Sequence, residues 1–238
     1  MERSRRILSL PLYYNSDCNV SVAYKALYEP SMNFFPDCVY PSAADYLDAY
    51  GAHVTAAVAS VGRDGLDRAA AILGACLDRD ATIFACGNGG SAALADHLCC
   101  DHQKGVHNGT HHQPKVISLC ANSAVLTAVS NDIGYGESFA HPLSIHGRRG
   151  DVLVTISSSG NSENIVRALA VAESLGMMRI TFTGFDGGRS RQMSDANIHV
   201  ASRNYGVVED VHQACMHVLA QYLRHRALAP ESLGKSVF

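Results

Sequence analysis

Thr82-Ile-Phe-Ala-Cys-Gly-Asn-Gly-Gly-Ser91 is the stretch on which the fold turns. Thr82 to Cys86 reads as a buried strand, Gly87-Asn-Gly-Gly90 ends it, and a helical pattern runs from Ser91 to about Cys100. Downstream the same order recurs. Val116–Leu119 is a second strand followed by a short helix over Ser123–Ser130, and Asp151–Ser157 is a third strand that enters Ser158-Ser-Gly-Asn-Ser162. A helix from Glu163 to Leu175 ends at Gly176; Arg179–Thr183 and Ile198–Val200 supply two more strands, and a long helix from Val208 to about Ala227 closes the chain. Upstream, Ser42 is placed to cap a helix running through Tyr50, and a second Ala/Leu-rich helix is expected over Leu66–Leu77. Strands that alternate with helices imply a parallel sheet covered on both faces, since each crossover helix must bury its apolar stripe against the sheet. The expected fold class is α/β, a three-layer αβα sandwich with a parallel five-stranded sheet.

The chain has 238 residues, 47% of them hydrophobic, enough for one sizeable α/β core. Residues 1–41 stand apart, with Pro11, Pro30, Pro36, Pro41 and little periodicity, and read as an irregular N-terminal extension ahead of a domain spanning 42–238. Tyr13, Tyr14, Phe34 and Phe35 in that extension are expected to pack on the domain or on a neighbouring subunit. The formal charge of −3, from 19 basic and 22 acidic residues without a long single-sign run, argues against a nucleic-acid partner. Small anions remain within reach of backbone amides and hydroxyls. Eight cysteines without a CxxC pair, mostly in apolar runs, read as reduced core residues. No apolar stretch approaches the ~20 residues that span a bilayer, and Pro11 cuts the N-terminal apolar run short of a signal sequence. A cytoplasmic protein with no membrane partner is expected.

Both small-residue turns join a strand to the start of a helix. Ser157-Ser-Ser-Gly-Asn-Ser162 brings hydroxyls beside free amides and the positive end of a helix dipole, which makes a phosphate seat. The plain alternative is a turn in which Ser162 merely caps the helix. Gly87–Ser91 allows close approach of a ligand to the backbone, but it is neither GxGxxG nor a P-loop with its lysine, so neither a dinucleotide nor a nucleoside triphosphate is indicated. On the helix after that turn, His97 and Asp101 are four apart and share a face. On the closing helix Glu209, Asp210, His212 and His217 offer further donors, and helix geometry by itself does not select among them. His102, His107, His111 and His112 crowd one segment that reads as a solvated loop, with adventitious metal binding as the alternative.

Four stretches together resemble the phosphoheptose isomerases of the SIS (sugar isomerase) type: Cys86–Ser91, Asn131-Asp-Ile-Gly-Tyr135, Ile156–Ile165 and Glu209–His217. The resemblance covers about residues 44 to 226. It implies a flavodoxin-like SIS domain, a homotetramer with active sites shared between subunits, and conversion of sedoheptulose 7-phosphate to a glycero-manno-heptose 7-phosphate through an enediol. It further implies a small phosphorylated sugar held by Asn88, Gly89, Gly90, Ser91, Asn131, Asp132, Ser157, Ser158, Ser159 and Ser162. The family's four zinc ligands are His, Glu, Gln and His, which fall here on His97, Asp101, Glu209 and His217 and imply one divalent metal per site, zinc by the pattern. Asp101 is one methylene shorter than the family's Glu, and Glu209 brings a carboxylate in place of an amide. By the same carry-over Asp101 is the catalytic base and His217 the acid, with Glu209 as the substitute base. Two competing expectations are a non-catalytic SIS module that binds a phosphosugar or a protein, and an isomerase of another phosphosugar.

Overall fold

A computed structural model describes residues 34–232 together with Lys235 and Phe238. Five parallel strands form its sheet: β1 (Thr82–Gly87), β2 (Lys115–Ser118), β3 (Val152–Ser157), β4 (Met178–Thr183) and β5 (Ala196–His199), in the order β2-β1-β3-β4-β5. All six residues of β3 are buried, as a central parallel strand with both faces covered requires. Alternation sends Ile83 and Ala85 of β1 into one apolar layer and Phe84 and Cys86 into the other.

Helices α1 (Ala43–Ser60), α2 (Arg63–Asp78), α3 (Gly90–Cys100) and α8 (Tyr205–Ala227) cover the first face. The second face carries α4 (Ser123–Asp132), α5 (Ala140–His146) and α6 (Glu163–Ser174), with a short α7 (Gly188–Gln192) beside β4. Ser42 caps α1 by accepting from the Asp45 amide at 3.1 Å, and Asn204 caps α8 by accepting from Val207 at 3.1 Å. That cap starts α8 at Tyr205, three residues earlier than the sequence reading. The strand-helix alternation is as expected. Three helices escaped it, α5, α7 and a π-helical segment over Asp101–Val106 that prolongs α3, besides two 3₁₀ turns at Tyr135–Glu137 and Pro230–Ser232. The first two are short, and the third keeps an ordinary helical sequence while widening its turn.

The reversal of strand order falls between β1 and β3, which pair in parallel with Gly87 opposite Ile156. The loops leaving these two strands therefore lie side by side at the switch point, where open α/β sheets bind ligands.

Phe35 is buried among Tyr40, Tyr46, Tyr50 and His53, and its carbonyl accepts from Asn204 Nδ2 at 3.0 Å, so this aromatic packs on α1 and the start of α8. Tyr13 and Tyr14 lie outside the described residues. The cysteine reading needs one correction. Cys76, Cys86, Cys99, Cys100, Cys120 and Cys215 are free thiols, but Cys38 is disulfide-bonded.

Candidate functional site

Gly89 turns the first loop with φ +57° and ψ −124°, a conformation open to glycine and costly for residues with a Cβ. Next to it the amides of Asn88 and Asn164 clasp each other, with both N–H···O bonds at 2.9 Å, and Asn88 Oδ1 also accepts from the Tyr135 hydroxyl at 2.7 Å. Asn164, buried, donates onward to Ser138 at 3.1 Å. This clasp fastens the first loop to the helix that follows the second.

The serine loop is braced from the β4–α7 turn: Gly184 N donates to Ser158 O at 2.9 Å and Ser190 N to Gly160 O at 2.9 Å. Ser157 Oγ accepts from Gly160 N at 3.2 Å and Ser159 Oγ from Asn161 N at 3.3 Å. Ser162 occupies the N-cap position of α6 but its side chain makes no capping bond, so the capping alternative fails. The Ser158 hydroxyl is buried without a hydrogen-bond partner among the described residues. Both leave hydroxyl capacity beside the start of α6, as an anion seat requires.

Asn88, Ser162 and Asn164 line a cavity of about 530 Å³ with Ile133–Glu137, Glu163 and Arg167. Arg167 is held there by Glu137 at 2.6 Å and Glu163 at 2.9 Å. Bonds from Arg167 and then Arg189 pull the Glu163 carboxyl below its ordinary range. Asn131 and Asp132 do not line this cavity; both are exposed, and Asn131 donates to Asp132 at 2.8 Å. Tyr135, Asn164, Glu137 and Arg167 were not singled out from sequence. The first two lay inside quoted stretches, while Glu137 and Arg167 looked like ordinary surface charges.

His97, Asp101 and His217 meet in a second cavity of about 310 Å³, which shares no lining residue with the first. Asp101 is 6% exposed; its Oδ2 lies 2.6 Å from His217 Nδ1 and its Oδ1 3.3 Å from His97 Nε2. A carboxylate only accepts, so His217 carries its proton on Nδ1, and its Nε2 accepts from Gln213 Nε2 at 2.6 Å. Gln213 was not anticipated as a partner. Gly105, in the π-helical segment, leaves room for the Phe238 ring, which lines this same cavity.

The structure sorts the remaining donors of α8. His212 is buried, donates from Nε2 to Thr183 O at 3.1 Å and stands edge-on to Phe182. Burial lowers its pKa to about 4. Asp210 accepts from the Tyr50 hydroxyl at 2.7 Å. Glu209 stands away from the three clustered donors: its carboxylate presses on Gly90 at the first turn of α3, where a Cβ would collide with it. Desolvation, followed by Asp210, raises the Glu209 pKa. Of the crowded histidines, His102 is not solvated; it is buried, with Nδ1 donating to Leu98 O at 2.9 Å.

The sheet order and the two loops at its switch point define a doubly wound α/β protein. The SIS domain family model matches residues 45–184. A phosphoheptose isomerase of Desulfovibrio desulfuricans is 36% identical over 151 residues, 63% of this chain and 70% of that protein. Its counterpart in Rhodospirillum rubrum is 38% identical over 151 residues, 63% of this chain and 80% of that protein. Among solved structures, the phosphoheptose isomerase of Neisseria gonorrhoeae superposes with a TM-score of 0.71 at 29% identity, covering 77% of this chain and 100% of that one. The chain belongs to the SIS domain family and, within it, to the phosphoheptose isomerases, a group of sugar-phosphate isomerases.

Proposed function

We propose that the chain interconverts sedoheptulose 7-phosphate and D-glycero-D-manno-heptose 7-phosphate in the cytoplasm. The observation that carries this reading is the Asp101–His217 couple, a nearly buried carboxylate 2.6 Å from an imidazole, on a scaffold whose Ser158 and Ser162 leave hydroxyls uncommitted beside a helix start. The phosphate sits on Ser157, Ser158, Ser159 and Ser162, with Asn88, Gly89, Gly90 and Ser91 along the sugar. Asp101 takes the proton from the carbon next to the carbonyl, and the carbonyl oxygen replaces Asp101 as acceptor of the His217 Nδ1 proton. Return of that proton to the former carbonyl carbon, with the neighbouring hydroxyl giving its proton back to His217, completes the exchange of aldose and ketose.

His97, Asp101 and His217 present two imidazoles and a carboxylate whose donor atoms all lie within 4.8 Å of one another, a set that fits zinc or a similar divalent ion. Such an ion supplies Lewis-acid polarisation of the sugar oxygens. Glu209 as a fourth ligand meets a geometric limit. It is not among the donors that meet there, because its carboxylate packs on Gly90 at the start of α3 while His97 lies seven residues further along that helix. The phosphate seat faces a similar gap: His97 and Asp101 lie seven and eleven residues beyond Gly90, about 10 and 16 Å along the helix. Both gaps close if the trio of one copy faces the serine loop and Glu209 of another, as in a homotetramer with shared sites. Helix α1 supports such packing, because of its 18 residues only Ala57 is buried while Leu47 and Val58 stay exposed.

Glu209 supports a second reading. It lies at the same strand ends as the serine loop, with a raised pKa that strengthens it as a base. Incubation with sedoheptulose 7-phosphate in deuterium oxide tests both. Formation of the aldose with deuterium at the exchanged carbon is expected, and Asp101→Asn should slow that exchange by about 10²–10⁴-fold. If Glu209→Gln abolishes exchange and Asp101→Asn does not, the base is Glu209. Phosphosugar binding without any exchange would favour the non-catalytic module.

A further inference from the structure

At the opposite ends of the strands from the substrate loops, Asp78, His111 and His112 form a second three-donor group. Their donor atoms all lie within 4.8 Å of one another. Adjacent residues in an extended chain point to opposite sides, yet the His111 and His112 rings lie 4.2 Å apart, because the chain turns between Asn108 and His111. The turn is pinned locally. Thr110 Oγ1 donates to Val106 O at 2.7 Å and accepts from His112 N at 3.2 Å, and His107 Nδ1 donates to His112 O at 2.7 Å. Among the described residues no hydrogen bond or ion pair occupies the Asp78 carboxylate or either imidazole of the pair. Three donors are thus held together without a protein hydrogen-bond partner among the described residues.

We propose that Asp78, His111 and His112 bind one divalent transition-metal ion of the zinc class, at a site separate from the catalytic one. Two imidazoles and one carboxylate select such ions over magnesium or calcium, which take oxygen ligands, and the exposure of Asp78 and His111 leaves further positions to water. The site clips the end of α2 to the segment entering β2. These lead into Thr82 and Lys115, which pair across β1 and β2. Six strand residues, about 20 Å at ~3.3 Å each, separate this pole from the substrate loops. An ion here braces the chain between the π-helical segment that begins at Asp101 and the sheet.

The test uses the full chain carrying His97→Ala and His217→Ala, so that uptake at the catalytic trio does not contribute. After chelator treatment, this protein is titrated with zinc and, for its absorption spectrum, with cobalt. One equivalent bound at micromolar concentration, with a rise in Tm, is expected. Adding Asp78→Asn, His111→Ala and His112→Ala should remove that equivalent and the Tm rise, and each change alone should weaken Kd at least tenfold. Circular dichroism of the apo forms checks that all remain folded. Equal uptake with and without the three changes overturns the proposal, and so does binding only at millimolar ion. Neither result bears on the catalytic reading, which the deuterium exchange decides separately.

Discussion

At His217 the two ring nitrogens face different partners, Asp101 on Nδ1 and Gln213 on Nε2, and this fixes the tautomer that the proposed acid brings to the reaction. Asp101 being shorter than the family's Glu does not keep it from that imidazole. The π-helical segment beginning at Asp101 locally widens the helix, a device frequent at functional sites. Glu209 and Gly90 form an equally specific pair, because the carboxylate occupies the space a Cβ would take. Gly90→Ala is therefore expected to cost about 1–3 kcal/mol by overpacking, measured by denaturant unfolding. Glu209→Ala in the same chain should recover most of that loss; no recovery would place the strain in the loop backbone instead. Cys86-Gly-Asn-Gly-Gly-Ser91 was legible as a ligand loop from its residue types, but the partner that makes Gly90 necessary lies on a helix more than a hundred residues away.

The serine loop and α6 act as one element, a strand end, a turn and a helix start braced by the β4–α7 turn. Ser162 spends nothing on capping, so Ser159→Ala with Ser162→Ala should leave the unfolding midpoint nearly unchanged while raising KM about 10²–10⁴-fold, from two bonds of ~1.5–3 kcal/mol each. A large loss of stability with unchanged KM would restore the capping role. Helix α8 is tied to β4 through His212, which burial holds neutral with a pKa near 4. In the unfolded chain this imidazole titrates near its ordinary ~6.5, so between those values only the unfolded state takes the proton. The His212 contribution is intact above about pH 6.5 and is lost as pH falls towards 4, on the order of 3 kcal/mol from ~1.4 kcal/mol per unit. Stability curves of the parent and His212→Gln across pH 4–7 should therefore converge in the acid. Parallel curves would assign the acid sensitivity to other groups, with buried His102 the first to examine.

Ser162 of the proposed phosphate seat and the His97–Asp101–His217 trio line separate cavities, and no residue lines both. Complementation reads this directly: chains bearing Ser159→Ala with Ser162→Ala, unfolded and refolded together with chains bearing His217→Ala, should regain a fraction of parental activity that neither variant shows alone. No recovery in co-assembled oligomers would confine the site to one chain. The sequence by itself determined the alternation of strands and helices, the two loops and the family, since these rest on local periodicity and on residue types that a short-range pattern carries. It also brought His97 and Asp101 together, being four apart on one helix. Only the tertiary structure decided which donors of α8 meet them. Helical spacing offered Glu209, Asp210, His212 and His217 alike; packing then buried His212 against β4, turned Asp210 to Tyr50, set Glu209 on Gly90 and left His217 to Asp101. Nor did the order of residues show that Asp78 would face His111 and His112, because that contact depends on how α2 and the segment entering β2 dock at the same end of the sheet.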